Sequence, residues 1–197
     1  MAKSSKQWLQ RHVTDPYVRK AREQGYRSRA AFKLLEIDAK ERIFHAGQTI
    51  VDLGAAPGGW SQVAAQKVGR TGKVVAIDIL EMAPISGVTV LKGDFRESLA
   101  EGVKADVILS DLSPNLSGIA NVDQARSLEL SLAAIELCRK ALKPDGVFVV
   151  KAFQGGAFDE FRERLQAAFA KVKVVKPAAS RGESRETYAV ARGLLAL

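Results

Sequence analysis

Val51-Asp-Leu-Gly-Ala-Ala-Pro-Gly-Gly-Trp-Ser-Gln62 decides how this chain is read. The stretch begins inside an apolar run, Thr49-Ile-Val-Asp-Leu53, passes through glycines, and opens a helical segment. A strand that turns through glycines into a helix is where open α/β sheets bind nucleotides. Two common nucleotide loops do not fit. A dinucleotide fingerprint needs G-x-G-x-x-G, and Ala56 and Pro57 break that pattern after Gly54. A P-loop ends in Gly-Lys-Ser/Thr, and Gly58-Gly-Trp60 does not. Asp52, inside the stretch, disfavours a pyrophosphate and suits a ligand that carries positive charge or amino and hydroxyl donors.

Moving outward, short apolar runs rich in Val and Ile recur at Lys73–Asp78, Val88–Leu91, Ala105–Ser110 and Val147–Lys151. Near-continuous apolar strands of this kind belong to a parallel sheet buried on both faces. Helical segments lie between them. Asn121-Val-Asp-Gln124 resembles a capping box that opens a helix through Leu142, which Lys143-Pro-Asp-Gly146 ends. Phe158, Phe161, Leu165, Ala168 and Phe169 mark one face of another helix. Lys171–Val175 and Glu186–Ala191 read as two strands joined by the polar loop 176–185. Ahead of the sheet, Ser4 to Arg42 is helical: Asp15-Pro16 caps one helix, Gly25 ends it, and Ser28 caps the next. Strand and helix alternate, so the fold class is α/β, doubly wound and Rossmann-like. The expected organisation is a single domain over 1–197, with a helical arm at 1–42 and the Rossmann-like core at 48–192.

Carboxylates mark successive strand ends. Asp78 closes the second run, where it can accept from ribose hydroxyls, and Asp94 follows the third, placed for an adenine amino group. With Asp52 they describe a site for S-adenosylmethionine, which carries a sulfonium, an ammonium, ribose hydroxyls and an adenine. The candidate cofactor contacts are Asp52, Gly54, Gly58, Gly59, Trp60, Asp78, Asp94 and Asp111.

Charge narrows the partner. The 197 residues carry a formal net charge of +8. Residues 1–42 hold a net +6 and 171–197 a net +4, while 43–170 hold −2. A polyanion lying across both ends would release counterions, which makes nucleic acid the leading partner class. Nothing approaches the roughly 18 to 20 apolar residues of a membrane span. The first residues lack the apolar core of a secretory signal and the single Cys138 has no partner for an internal disulfide, so the expected compartment is the cytoplasm. Cys138 reads as core, His12 and His45 as surface or packing residues, and no Cys/His cluster exists for a metal.

Six motifs, in order, resemble the FtsJ family of ribosomal RNA ribose 2′-O-methyltransferases. They are Arg27–Leu34, Val51–Gln62, Gly93–Arg96, Ser110–Asn115, Val149–Gln154 and Ser184–Glu186. The resemblance runs over nearly the whole chain, from about residue 8 to 191. It implies a class I S-adenosylmethionine-dependent methyltransferase: a seven-stranded, mostly parallel sheet with helices on both faces and the last strand inserted antiparallel. It also implies a catalytic tetrad at Lys33, Asp111, Lys151 and Glu186. The implied substrate is a uridine ribose in large-subunit (23S) ribosomal RNA, on the assembled or assembling 50S subunit. Two departures stand out: a shorter loop between the third and fourth strands, and Leu112-Ser113 where Met-Ala is frequent.

The residues bear on the acceptor independently. An alcohol is a weak nucleophile until it begins to lose its proton, and Lys151 at a strand end can take that proton or face the alkoxide as an ammonium. Exocyclic-amine methylation favours Asn/Asp-Pro-Pro-Tyr/Phe, whereas this chain has Asp111-Leu-Ser-Pro-Asn115. Pyrimidine carbon-5 chemistry needs a cysteine nucleophile, and Cys138 lies in a helix. Lys3, Lys6, Arg11, Arg27, Arg29 and the 176–185 loop are the expected RNA-docking rim, with Trp8 and Tyr26 available to stack on bases. The expected state is a monomer. The alternatives are transfer RNA or an mRNA cap as acceptor, and a non-catalytic RNA-binding protein of ribosome assembly on the same fold.

Overall fold

The apolar runs are the strands of a computed structural model that describes residues 15–115, 117–180, 182 and 184–196. They are β1 (Thr49–Leu53), β2 (Lys73–Asp78), β3 (Val88–Lys92), β4 (Ala105–Ser110), β5 (Leu142–Phe153), β6 (Phe169–Val175) and β7 (Glu186–Leu194). All seven form one sheet in the order β3-β2-β1-β4-β5-β7-β6. The β3-β2-β1-β4-β5 pairings are parallel, and β7 enters antiparallel between β5 and β6. This is the insertion the family resemblance implied. The order reverses direction between β1 and β4, which opens a crevice at their carboxyl ends.

Successive strand residues serve opposite faces. Val51, Leu53, Ile108, Phe148 and Val150 pack with α5 (Ala120–Ala141) and α6 (Phe158–Ala168), through residues such as Ile135, Cys138 and Leu165. Ile50, Val107, Leu109, Val147 and Val149 pack with α2 (Ala30–Glu41) and α3 (Gly59–Val68), through Leu34, Ile37, Trp60 and Val63. The period of two explains why the strands read as continuous apolar runs: both faces are covered. The remaining helices are α1 (Pro16–Glu23) and the short α4 (Phe95–Ser98). Among the described residues no helix is long and apolar enough to cross a membrane.

Local starts and stops depart from expectation in four places. Asp15 does cap α1, accepting from the Tyr17 amide at 3.0 Å. Ser28 makes no such bond for α2; its hydroxyl instead fills the space where a Cβ on Gly59 would lie. Helix α5 begins at Ala120 without a side-chain cap, because Asp123 reaches back to the Ser117 hydroxyl and the amides of Ser117 and Gly118. Lys143-Pro-Asp-Gly146 is not a turn beyond the helix: α5 ends at Ala141 and the chain passes directly into β5. Phe169 is extended and begins β6. The arm before Asp15, with Trp8, Lys3, Lys6, Arg11 and His12, lies outside the described residues.

Candidate active site

Strand register gathers the four tetrad positions. Lys151 shares its face of β5 with Val147 and Val149, the face covered by α2, which carries Lys33. Across the antiparallel ladder Lys151 is paired with Tyr188. Glu186 stands two residues earlier on β7 and so shares the Tyr188 face. Asp111 follows β4, its amide donating to the Leu53 carbonyl at the end of β1.

The polar atoms connect in one chain. Lys151 Nζ donates to the Asp111 carbonyl at 2.8 Å and lies 3.2 Å from Asp111 Oδ1. The Tyr188 hydroxyl lies 3.1 Å from that Oδ1 and 3.0 Å from Glu186 Oε1. Lys33 Nζ lies 2.5 Å from the same Glu186 oxygen and 3.4 Å from the Tyr188 hydroxyl. A neutral phenol thus lies between two carboxylates, each paired on its outer side with a lysine. Pairing of this kind is what allows Lys151 to sit only 8% exposed, since an unpartnered buried charge is costly. Burial pushes the Glu186 carboxyl up, but the charge and hydrogen bond of Lys33, with Lys151 and Tyr188, outweigh it and hold the group below the usual range. Burial first, then the charges of Asp111 and Glu186, drive the Tyr188 phenol well above its ordinary value, so it stays a neutral donor. Tyr188 is absent from the sequence-derived set. Its signal was the alternation Glu186-Thr-Tyr188, which places both side chains on one face.

Beside this cluster lies a cleft of about 610 Å³, lined by Gly54, Ala56, Asp78, Asp94, Asp111 and Leu112 among others. That volume lies within the usual range for small-molecule sites. At Gly54 φ is +72°, and a Cβ there would come within 2.9 Å of the Leu112 side chain, so the close approach of the two loops requires glycine. Asp78 Oδ2 accepts from the Ala56 amide at 2.9 Å and Oδ1 from the Leu80 amide at 2.8 Å. Each oxygen keeps a second lone pair for a hydroxyl. Asp94 caps α4 and is held in a fork by Arg96, whose hydrogen bonds keep its carboxyl below the usual range.

Four motif residues sit elsewhere than on the cleft wall. Trp60 is buried, donates its indole N–H to the Ala30 carbonyl at 2.8 Å and packs on Tyr188 with ring centroids 5.5 Å apart. What Trp60 can offer a ligand is its backbone. Gly59 is pressed against Ser28, and Gly58 faces Met82, Ile85 and Arg27. Asp52 is fully buried, with Ser61 donating to Oδ2 at 2.6 Å and no partner for Oδ1. Desolvation, and then the charges of Asp111 and Asp78, raise its pKa to about 7 against the Ser61 hydrogen bond.

The expected RNA rim is corrected at three residues. Arg27 donates to the carbonyls of Pro57 at 3.2 Å, Ala83 at 2.6 Å and Pro84 at 2.6 Å, tying the glycine loop to the segment after β2. Arg29 pairs with Asp15 and donates to the Ala179 carbonyl. Tyr26 packs edge-on against Phe32 and donates to Gln66. All three are spent on intramolecular contacts. Among the described residues no group of His, Cys, Asp and Glu could hold a metal ion.

A doubly wound sheet with β7 reversed, an acid-lined cleft at the switch point and a lysine–carboxylate cluster at its side define an S-adenosylmethionine-dependent methyltransferase. The donor set fits that cofactor: a buried, unpartnered Asp52 oxygen beside Asp78 and Asp111 awaits donors or positive charge. The chain belongs to the FtsJ-like methyltransferase family, whose model matches residues 26–194. It is 51% identical to the ribosomal RNA large subunit methyltransferase E of Nitrosospira multiformis, over 97% of each chain. It is 50% identical to the protein of the same name from Alcanivorax borkumensis, over 98% of this chain and 97% of that one. Among solved structures, a ribosomal RNA methyltransferase from Plasmodium falciparum superposes with a TM-score of 0.78 at 29% identity, over 87% of this chain and 100% of that one. The fold is shared with fibrillarin from Aeropyrum pernix, determined with natively bound S-adenosylmethionine, at a TM-score of 0.59 and 16% identity over 84% and 75% of the chains.

Proposed function

We propose that this enzyme transfers the methyl group of S-adenosylmethionine to the 2′-hydroxyl of a uridine ribose in 23S ribosomal RNA, acting on the assembled or assembling large subunit. The observation that carries the reading is the Lys151–Asp111 pair at 3.2 Å, linked through Tyr188 to Glu186 and Lys33 at the end of the cofactor cleft. Bound in that cleft, the cofactor supplies an electrophilic methyl on a sulfonium. Asp52, Gly54, Gly58, Gly59, Trp60, Asp78, Asp94 and Asp111 form its binding set, with Trp60 and the glycines contributing backbone.

Lys151 acts at the 2′-oxygen. A tetrahedral amine has three positions beyond its stem, and Asp111 occupies two of them through its carbonyl and Oδ1. The third serves the ribose hydroxyl, taking its proton or meeting the developing alkoxide with charge. Asp111 fixes the direction of that nitrogen, Lys33 adds positive potential, and Glu186 holds Lys33. The chain works as a single methyltransferase domain over 1–197, with arm 1–42 and core 48–192, as a cytoplasmic monomer without a metal. The excess positive charge at both ends draws it to ribosomal RNA.

The test is transfer of labelled methyl to large subunits, naked ribosomal RNA and transfer RNA, followed by nucleoside analysis. Label recovered as 2′-O-methyluridine from the large subunit is the expected result. Label on transfer RNA alone, or on a base, overturns the proposal.

A further inference from the structure

The first half of the 176–185 loop is fastened to the helical arm. Pro177, Ala179 and Ser180 are buried, and Ala179 packs with Ala21 and Phe32. Glu36 on α2 accepts from the amides of Ala178 at 2.6 Å and Ala179 at 3.1 Å, while Arg29 donates to the Ala179 carbonyl. The Ser180 amide closes a turn on the Pro177 carbonyl at 2.9 Å. The turn leaves the Ser180 side chain facing inward, with its hydroxyl donating to Glu186 Oε1 at 3.3 Å.

Three polar hydrogens therefore converge on one oxygen of Glu186, from Lys33, from Ser180 and from Tyr188, whose one proton is shared with Asp111. They are not equivalent. The terminal torsion of a glutamate is broad and two-fold, so either oxygen can turn toward a cation. An ammonium is a point charge on a flexible stem and follows whichever oxygen is presented. The Ser180 hydroxyl, carried on the Cβ of a buried backbone, is directional and selects Oε1, whereas the single proton of Tyr188 is shared between that oxygen and Asp111 Oδ1.

We propose that Ser180 is a positioning residue for Glu186, and that the Glu36–Arg29 clamp on Pro177–Ser180 is what sets it in place. This segment of the loop is then a wall of the active site, distinct from the RNA-docking rim. The inference rests on the reading of Glu186 as a member of the methyl-transfer site.

The experiment is a double-mutant cycle with S180A, E186Q and the pair, measured as kcat and KM on large ribosomal subunits. S180A is expected to lower kcat about 3- to 20-fold, within the lower part of the span of coupling between contacting residues. KM for the subunits and affinity for S-adenosylmethionine stay unchanged, and S180A has no further effect in the E186Q background. S180T, which keeps the hydroxyl, restores most of the rate. E36Q is expected to speed hydrogen exchange at the Ala178 and Ala179 amides and to lower kcat, again without effect on E186Q. A loss that appears in KM, or that persists undiminished in E186Q, overturns the proposal. Full activity of S180A beside an impaired E186Q overturns it while sparing the reading of Glu186. Full activity of E186Q shows that reading to be wrong, and the present inference with it.

Discussion

Lys151 and Tyr188 stand directly opposite each other in the antiparallel ladder between β5 and β7, and both side chains reach Asp111 Oδ1, at 3.2 and 3.1 Å. Insertion of β7 beside β5 is therefore what completes the site: a parallel β7 would not bring Tyr188 to this register. Tyr188→Phe removes the hydroxyl and keeps the ring against Trp60. The expected result is a fall in kcat of about tenfold, the equivalent of one ordinary hydrogen bond. Cofactor affinity and the near-ultraviolet circular dichroism of the packed aromatics stay as in the parent. A normal kcat with saturating cofactor and subunits would remove Tyr188 from the relay.

Lys151→Met keeps much of the volume of the buried stem and deletes the nitrogen. Turnover is expected to drop by about 10² to 10⁴, the usual weight of a group handling a proton in the transition state. The S-adenosylmethionine dissociation constant changes by less than about threefold, because the nitrogen acts on the acceptor oxygen and binding of the donor is left to the cleft. Rapid-quench single turnovers with calorimetric titration of the cofactor separate the two quantities. Near-parental single-turnover rates would assign the chemistry elsewhere.

The legible parts of the molecule were those written locally. Each apolar run became a strand; burial of the central strands on both faces leaves a pattern that any neighbour order would share, although the edge strand β3 has no buried residue. Strand order came from the family resemblance, since nothing in Glu186–Leu194 says which strands it will join. Trp60 and Arg27 show the other limit. The aromatic at the start of α3 was read with the cofactor loop, yet its side chain is a core residue because the helix face it occupies turns toward α2. Arg27 was counted as surface charge because a guanidinium bonding three carbonyls looks, in sequence, the same as one in water. Tyr188 was missed because an apolar-flanked tyrosine in a strand reads as packing until its hydroxyl is seen between two carboxylates.

The Arg27 contacts invert an expectation about RNA binding. Its guanidinium bonds the Pro57, Ala83 and Pro84 carbonyls around the cofactor cleft. Arg27→Met should therefore weaken S-adenosylmethionine binding, by about tenfold for loss of charged hydrogen bonds to the loop. The salt dependence of RNA binding should keep its slope, since no phosphate contact is lost. Calorimetry with cofactor and a salt series with labelled RNA read the two effects separately. A flattened salt slope with unchanged cofactor affinity would return Arg27 to the docking rim.

Asp52 makes the cofactor-free protein sensitive to pH. Its carboxyl, buried with only Ser61 as donor, has its pKa raised from 3.8 to about 7, first by desolvation and then by Asp111 and Asp78. The folded state therefore holds a proton across a window in which the unfolded chain has released it. This contribution to stability is fully present below about pH 4, is lost as pH rises toward 7, and is flat beyond. Asp52→Asn, which cannot ionise, removes that slope and should be the more stable form at pH 8, by on the order of a few kcal/mol in urea titrations without cofactor. A cationic ligand favours the ionised carboxylate, so cofactor affinity should rise from pH 6 to pH 8 with proton release. Calorimetry at pH 6.5 in buffers of different ionisation enthalpy measures that release directly. Asp52→Asn should bind more weakly, with an enthalpy independent of buffer as far as this group is concerned. Equal buffer dependence in parent and variant would mean that the proton comes from another group.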